Sequence, residues 1–181
     1  VVIGKDRIQL NGATIATASS KVTIGGILEN LASPMISGGV NAQLDVPEIE
    51  RTFGLSTFPA LRDRSLNTLY ANVELKSDQN NVQIRQVKLT LGQSTLQAFG
   101  TMKNLALEKG SLQFSSSLNV GELSKMLQSG GQAGGNIRVD GTATTNGFSD
   151  YAVDASVTGQ HLNLRQGSIA MSNASLTAKV R

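Results

Sequence analysis

The sequence has no cysteine and no tryptophan, and among its 181 residues there are only three prolines and one histidine. Because cysteine is missing, neither a disulfide framework nor a thiolate metal site can form. Cysteine usage therefore does not indicate whether the protein resides in an oxidising or a reducing compartment. Aromatic residues amount to 4% of the chain, whereas glycine contributes 19 residues and Ser, Thr, Asn and Gln are frequent. This balance is typical of a strand-and-turn protein rather than of a coiled coil or a disordered tail.

Clusters of positive charge are also missing. The net charge is +3 and the pI is about 9.4, but the Lys and Arg residues are scattered singly along the chain. Binding of nucleic acid normally needs a clustered basic stripe, with aromatic rings that stack on the bases. We therefore expect no nucleic acid partner.

Long apolar runs are missing too. No apolar stretch approaches the roughly 18 residues of a membrane-spanning helix, and no charged-then-apolar leader opens the chain. We expect this sequence to be a fragment of a longer parent chain, and any membrane anchor or signal to belong to other parts of that chain.

Residues that carry catalysis or bind metal ions are few. His161 has no second histidine and no acidic cluster nearby, and the serines of Ser115 to Ser117 have no base in the local pattern. The segment Gly130 to Gly135 is followed by no Gly-Lys-Ser/Thr, so we expect a flexible hairpin connection rather than a phosphate-binding loop. The sequence thus predicts a non-enzymatic protein without catalytic residues, metal ion or cofactor.

The strongest positive signal is an internal repeat. Ile8 to Leu10 matches Val82 to Ile84 at a shift of 74 residues, and the match continues without a gap as far as Leu118 to Leu123. A third copy opens at Leu162, which matches Val82 at a shift of 80. We divide the chain into a partial first repeat (1–55), a second repeat (56–135), and the end of that unit with the start of a third (136–181).

Within each unit the hydrophobic pattern has a period of two, which is the signature of β-strands. Val87, Leu89 and Leu91, for example, alternate with Lys88 and Thr90. The parity slips at Arg85-Gln86, which predicts a β-bulge or a short corner. Strands are expected near residues 70–76, 82–91, 95–101, 111–118 and 136–143. This gives about five antiparallel strands per unit, because the connections between them are short.

A short helix is predicted after one strand of each unit. Asp45 followed by Glu48, and Asn119 followed by Glu122, have the spacing of an N-cap residue and an acidic residue three positions later. Apolar residues then recur four positions apart, as Ile49 and Phe53 in one copy and Leu123 and Leu127 in the other. We expect each helix to plug or edge the sheet.

Alternation by itself favours the core of a β-sandwich. A unit of 74 residues without tryptophan would be a short sandwich, however, and the repeat favours tandem units that share one continuous open sheet. A structural or adhesin-like extracellular β-repeat stays as an alternative, although its typical acidic clusters are not seen in the sequence.

Three segments resemble the AsmA/TamB family of Gram-negative bacteria: Val22 to Pro34, Asn136 to Ala143, and Leu44 to Ile49. The resemblance covers nearly the whole chain. It implies tandem β-groove units of about five strands, stacked into a long, curved, taco-like sheet with an apolar concave face. The family has no catalytic residues.

The resemblance also implies a place and a role. It implies the periplasm, a parent chain anchored in the inner membrane, and transport of phospholipid toward the outer membrane or support of outer-membrane biogenesis. The implied partners are phospholipid acyl chains and, through other parts of the parent chain, proteins of both membranes. The apolar members of the alternating strands are then the expected lining of the lipid groove: Ile8, Leu10, Ile15, Val22, Ile24, Val82, Ile84, Leu89, Leu91, Leu96, Leu162, Leu164, Ile169 and Leu176.

Overall fold

In a computed structural model of the chain, residues 1–54, 66–103, 109–126, 131–147 and 150–181 are described. They form one antiparallel sheet of eleven strands whose order in space equals their order in sequence. The strands are β1 (Val2–Ile3), β2 (Arg7–Ala16), β3 (Lys21–Glu29), β4 (Met35–Asp45), β5 (Thr68–Ser77), β6 (Asn81–Leu91), β7 (Ser94–Lys103), β8 (Lys109–Asn119), β9 (Gln132–Asn146), β10 (Tyr151–Gln166) and β11 (Ile169–Val180). Two short helices follow β4 and β8, namely α1 (Val46–Phe53) and α2 (Val120–Met126).

The all-β, antiparallel prediction is confirmed, and the five predicted strands fall inside β5 to β9. Tight turns explain why each strand pairs with its neighbour in sequence. Leu91 pairs with Ser94, so only two residues connect β6 to β7. The first of them, Gly92, has φ +58°, a left-handed conformation that glycine adopts without steric cost.

The predicted bulge is present. The register between β6 and β7 shifts after Ile84 and resumes at Val87. Arg85 and Gln86 therefore have no partner in β7. Comparable shifts occur after Leu10 in β2 and after Gly159 in β10. Bulges increase the local twist and bend of a sheet, so this sheet is bent at three corresponding places.

Two details of the predicted repeat need correction. Leu162 follows the β10 bulge as Val87 follows the β6 bulge, so the structure aligns these strands at a shift of 75 rather than 80. One repeat unit, measured from the first residue of α1 to the first residue of α2, contains the four strands β5 to β8. The prediction was about five strands per unit. The prediction counted β9 in addition, but β9 follows α2 as β5 follows α1.

The Gly-rich segment also differs from its prediction as a flexible connection. Strand β9 begins at Gln132, so most of the segment belongs to the sheet, and residue 130 lies outside the described ranges. Gly135 has φ +105°, and a Cβ atom there would approach the carbonyl oxygens of Gln160 and His161 in β10 to 2.9 and 2.5 Å. Glycine is therefore needed to let β9 pass this close to β10.

Both predicted helix starts are confirmed. The Asp45 side chain accepts a hydrogen bond from the backbone N–H of Glu48 at 2.9 Å, and Asn119 Oδ1 accepts from the N–H of Glu122 at 3.0 Å. Gly54 ends α1 in the left-handed conformation, with φ 65°.

Very little of this fold is a closed core. Among the described residues, the buried apolar side chains are Leu66, Ala98, Met126 and Ala155. The described strands form a single sheet, and in these ranges no second sheet covers it. The β-sandwich interpretation is therefore wrong.

Candidate functional site

Ladder registers determine which residues share a side of the sheet, because residues paired across an antiparallel ladder project to the same side. Ile8 pairs with Leu28, Leu28 with Ile36, Ile36 with Ser77, and Ser77 with Val82. Ile8 and Val82 therefore lie on the same side of the sheet, in one row that crosses five strands.

A second row runs parallel to the first. Successive pairings from β2 to β7 link its six members: Ile15, Val22, Ala42, Ala71, Leu89 and Leu96. Val22 and Leu28 are an even number of positions apart in the regular strand β3, so both rows lie on the same side. We call the side that carries these two rows the Leu89 face. The registers place all fourteen predicted lining residues on it.

None of these fourteen side chains is buried. Nine are half-buried, and five are exposed by 37% to 67%: Ile15, Ile24, Leu164, Ile169 and Leu176. Aliphatic side chains in a sandwich core would be largely inaccessible to solvent. In the described part of the chain, these aliphatic side chains of the Leu89 face are only partly covered.

Ionisable side chains are segregated onto the other side, which we call the Lys88 face after one of its members. Apart from Arg85 inside the bulge, every Lys, Arg, Asp and Glu in β2 to β11 lies on the Lys88 face. Arg85 helps to line a hollow with Gln9 and Glu74, which are on that face as well.

Polar side chains on the Lys88 face bond to each other. Asn72 Nδ2 donates to Asn41 Oδ1 at 2.6 Å, and Ser115 Oγ donates to Asp140 at 2.7 Å. Arg138 contacts Asp140 at 2.6 Å, and this hydrogen bond, together with that from Ser115, lowers the pKa of the Asp140 carboxyl. These features are typical of a hydrated surface.

Strands β9 and β10 approach each other closely on the Leu89 face at Gly141 and Ala155. Gly141 and Ala155 are direct partners, and a Cβ atom built at Gly141 would lie 2.8 Å from Cβ of Ala155. Facing Cβ atoms in an ordinary antiparallel pair are about 4.5–5.5 Å apart. The Phe114 ring lies at the same place, with its Cζ atom 2.7 Å from that Cβ position at Gly141, and Ala155 is only 5% exposed.

A hollow of about 310 Å³ lies on the Leu89 face beneath α2. Leu123 and Met126 of the helix form its roof, and Met126 is 6% exposed. Its strand-borne lining includes Leu69, Leu89, Leu91, Leu96 and Leu118. The alternating pattern predicted three of these five leucines as lining residues. Leu69, Leu118 and both helix residues were missed, although the apolar spacing of α2 was the signal for a covered surface.

A second hollow, of about 250 Å³, lies farther along the strands. Its lining includes Ile84, Met102, Leu112, Tyr151 and Val153. The registers assign these side chains to the Leu89 face, so the face has two apolar depressions near opposite ends of its strands.

Each helix is tied to the adjacent hairpin by one glutamate and one serine. Glu122 accepts hydrogen bonds from the backbone N–H of Gln93 at 3.0 and 2.9 Å. Ser94 Oγ donates to Glu122 at 3.4 Å and accepts from the N–H of Asn119 at 3.1 Å. Glycine at 92 leaves room for this contact, since a Cβ atom there would lie 2.7 Å from the Glu122 carboxylate.

Helix α1 is bound to its hairpin by the same kind of hydrogen bonds, which we call the α1 tether. Glu48 accepts from Ser20 Oγ at 2.5 Å and from Thr17 Oγ1 at 2.8 Å, and Ser20 Oγ accepts from the N–H of Asp45 at 3.0 Å. The hydrogen bonds from Ser20 and then Thr17 lower the pKa of Glu48. These tethers hold the helices at one margin of the sheet.

Nothing in the described ranges assembles a metal centre, since no three His, Cys, Asp or Glu side chains there are grouped to hold an ion. His161 is exposed, and its Nδ1 lies 3.1 Å from Asn173 Oδ1. In the part of the chain that the structure describes, no helix has both the length and the apolar character needed to cross a bilayer.

Comparison with known proteins gives no match to any protein-family model, curated protein or solved structure. The assignment of function therefore rests on the geometry and chemistry of the chain itself.

Proposed function

We propose that the chain is a non-enzymatic segment of a lipid-conducting groove, whose Leu89 face receives phospholipid acyl chains. The observation that carries this proposal is the segregation of charge, which leaves the Leu89 face of the described strands β2 to β11 largely apolar and without Lys, Asp or Glu. Contiguous exposed apolar surface of this extent marks a site of interaction with another apolar molecule.

The dimensions suit a lipid. At about 4.8 Å between strands, the ten strands from β2 to β11 extend about 43 Å across the Leu89 face. The two rows are aliphatic apart from Ser77 and contain no Lys, Arg, Asp or Glu, so a bound chain meets similar surroundings at each step. This uniformity favours sliding of a lipid along the sheet over trapping at one place.

Energetics also favour this occupant. Removing an acyl chain from a bilayer costs about 0.8 kcal/mol per CH₂ group, so about a dozen methylenes set a barrier on the order of 10 kcal/mol unless another apolar surface receives them. The close approach of Gly141 and Ala155 on the Leu89 face is consistent with a surface that curves around such a chain.

The resemblance to the AsmA/TamB family agrees with this proposal and adds a setting. In that setting the chain is part of a periplasmic bridge whose parent is anchored in the inner membrane, and which carries phospholipid toward the outer membrane. An adhesin-like structural role would need no long aliphatic face free of charge.

The test is a pair of charge substitutions on adjacent residues of β6. Leu89→Glu places a carboxylate on the Leu89 face, whereas Thr90→Glu places the same group on the Lys88 face. Leu89 is half-buried beneath α2, so we expect Leu89→Glu to melt below Thr90→Glu and still to keep a cooperative thermal transition. Only Leu89→Glu should lower lipid transfer between vesicles, severalfold, since a charge in the path costs several kcal/mol to desolvate.

Native mass spectrometry of the purified wild-type chain should find copurified phospholipid, and less of it on Leu89→Glu. A wild-type chain that neither carries nor transfers lipid would overturn the proposal. So would a collapsed melting transition in Leu89→Glu alone, because it would indicate a dry core at this position.

A further inference from the structure

We propose that the hollow beneath α2 binds the methyl end of an acyl chain, and that the bound chain lies along the strands with its polar headgroup at the opposite margin of the sheet. This inference rests on the proposed lipid-binding function and adds to it a fixed orientation of the lipid.

The first observation is the chemistry of the helix-covered margin. The hollow beneath α2 is lined by leucines and Met126, and of its hydroxyl residues Thr90, Ser94 and Thr95 the registers place only the Ser94 side chain on the Leu89 face. A phosphate group placed there would lose its water without gaining a cationic partner, which is strongly unfavourable. A terminal methyl group needs no such partner.

The second observation is the chemistry of the opposite margin. Tyr151 stands there with 76% of its surface exposed, beside the hollow that contains Ile84 and Met102. An aromatic ring with a polar tip suits a boundary between hydrocarbon and water. The hairpin turn between β5 and β6, at the same margin, is polar, with Asp78 bonded to the N–H groups of Asn80 and Asn81.

The third observation is the separation of the two hollows. Leu89 lines the hollow beneath α2 and Ile84 lines the other, and both belong to β6. The β6 bulge lies between them, and their partners in β7, Gly100 and Leu96, are four residues apart, which is about 13 Å. One leaflet of a bilayer, half of a hydrocarbon core of about 30 Å, gives an acyl chain about 15 Å. A chain of ordinary length can therefore join the two hollows.

The hydrogen bonds from Gln93 and Ser94 to Glu122 fix this geometry. They tether α2 to the β6–β7 hairpin, so the roof does not depend on a lipid being present. The acyl chain enters from the open margin, and the roof sets how far its methyl end can go.

The absence of tryptophan makes the orientation measurable, because one introduced tryptophan is the only indole in the protein. Two variants report the margins: Leu123→Trp in the roof and Tyr151→Trp at the open margin. Each is loaded with phosphatidylcholine bearing a nitroxide quencher on acyl carbon 16, near the methyl end, or on carbon 5, near the headgroup.

We expect the carbon-16 label to quench Leu123→Trp at least twofold more than the carbon-5 label does, and the reverse for Tyr151→Trp. Leu91→Trp and Val153→Trp repeat the measurement from the strands if either first variant folds poorly. Thr90→Trp shows the quenching expected at the Lys88 face and should respond weakly to both labels.

Equal or reversed quenching at the two margins, with lipid still bound, would overturn the orientation and leave the proposed function intact. No quenching at any position, together with no lipid found by mass spectrometry, would overturn both.

Discussion

Single glycines determine how closely the strands of this sheet approach one another. Gly100 pairs with Leu112 in β8, and a Cβ atom at Gly100 would overlap the carbonyl oxygen of Ser111 and lie 2.8 Å from Cα of Leu112. Gly134 in β9 is different, because an added Cβ atom there would meet nothing within 4 Å. These two positions form a matched pair of strand glycines.

We predict that Gly100→Ala lowers the free energy of unfolding by about 1–3 kcal/mol, because the backbone of β8 must move away. Gly134→Ala should be neutral or stabilise the fold by up to about 1 kcal/mol, since alanine restricts the unfolded chain. Denaturant unfolding followed by circular dichroism measures both. Equal effects of the two substitutions would show that close strand approach at Gly100 does not limit the fold.

Local patterns predicted much at this scale and missed contacts between distant residues. The N-cap residues and the bulge at Arg85 follow from a few neighbouring residues, so the sequence was sufficient to find them. The need for glycine at 135 arises from the passage of β9 past β10, about 25 residues away. Nothing local to Gly135 distinguishes that requirement from the flexibility of a loop.

At the scale of elements, the helices depend on hydrogen bonds to the hairpins more than on their own length. A helix of seven or eight residues is marginal in water, and the structure compensates by binding Glu48 or Glu122 to a turn. The sequence predicted that these helices form and that they plug or edge the sheet. It did not predict which strands they cover, since that depends on the packing of α2 against β9 and on the hydrogen bonds of Glu122 to the β6–β7 hairpin.

Glu48 gives this tether a dependence on pH. Its pKa is lowered from the ordinary value of 4.5 by the hydroxyls of Ser20 and Thr17. A carboxyl with a lowered pKa in the folded state stabilises the fold above its unfolded pKa, and this contribution is lost as the pH falls through the folded value. We predict that a change from pH 7 to pH 3 lowers the melting temperature of the wild type more than that of Glu48→Gln.

Glu74→Gln serves as the control, because Glu74 is an exposed carboxylate on the Lys88 face. Its melting temperature should follow that of the wild type over the same range of pH. Indistinguishable curves for the wild type and Glu48→Gln would show that the α1 tether does not contribute to stability.

At the scale of the whole molecule, the edge strand β11 decides how copies of this chain behave together. It has twelve residues and is paired with β10 on one side only. Exposed strand edges recruit other chains. We predict that the 181-residue chain associates as its concentration rises, and that light scattering detects dimers or larger species.

Adding charge to the edge should reduce this association. Thr177→Lys puts a lysine on β11, whereas Thr101→Lys puts one on the central strand β7, on the same face of the sheet. Only Thr177→Lys should shift the equilibrium toward monomer. A wild-type chain that stays monomeric at high concentration would contradict the prediction.

The identity of spatial and sequence order also has a consequence for biosynthesis. Each strand from β2 onward finds its first partner in the strand that precedes it, and eight of the ten connections span fewer than seven residues. Closing short connections costs little entropy. The sheet can therefore grow strand by strand in the direction of translation, and no strand has to wait for a distant segment of the chain to emerge from the ribosome.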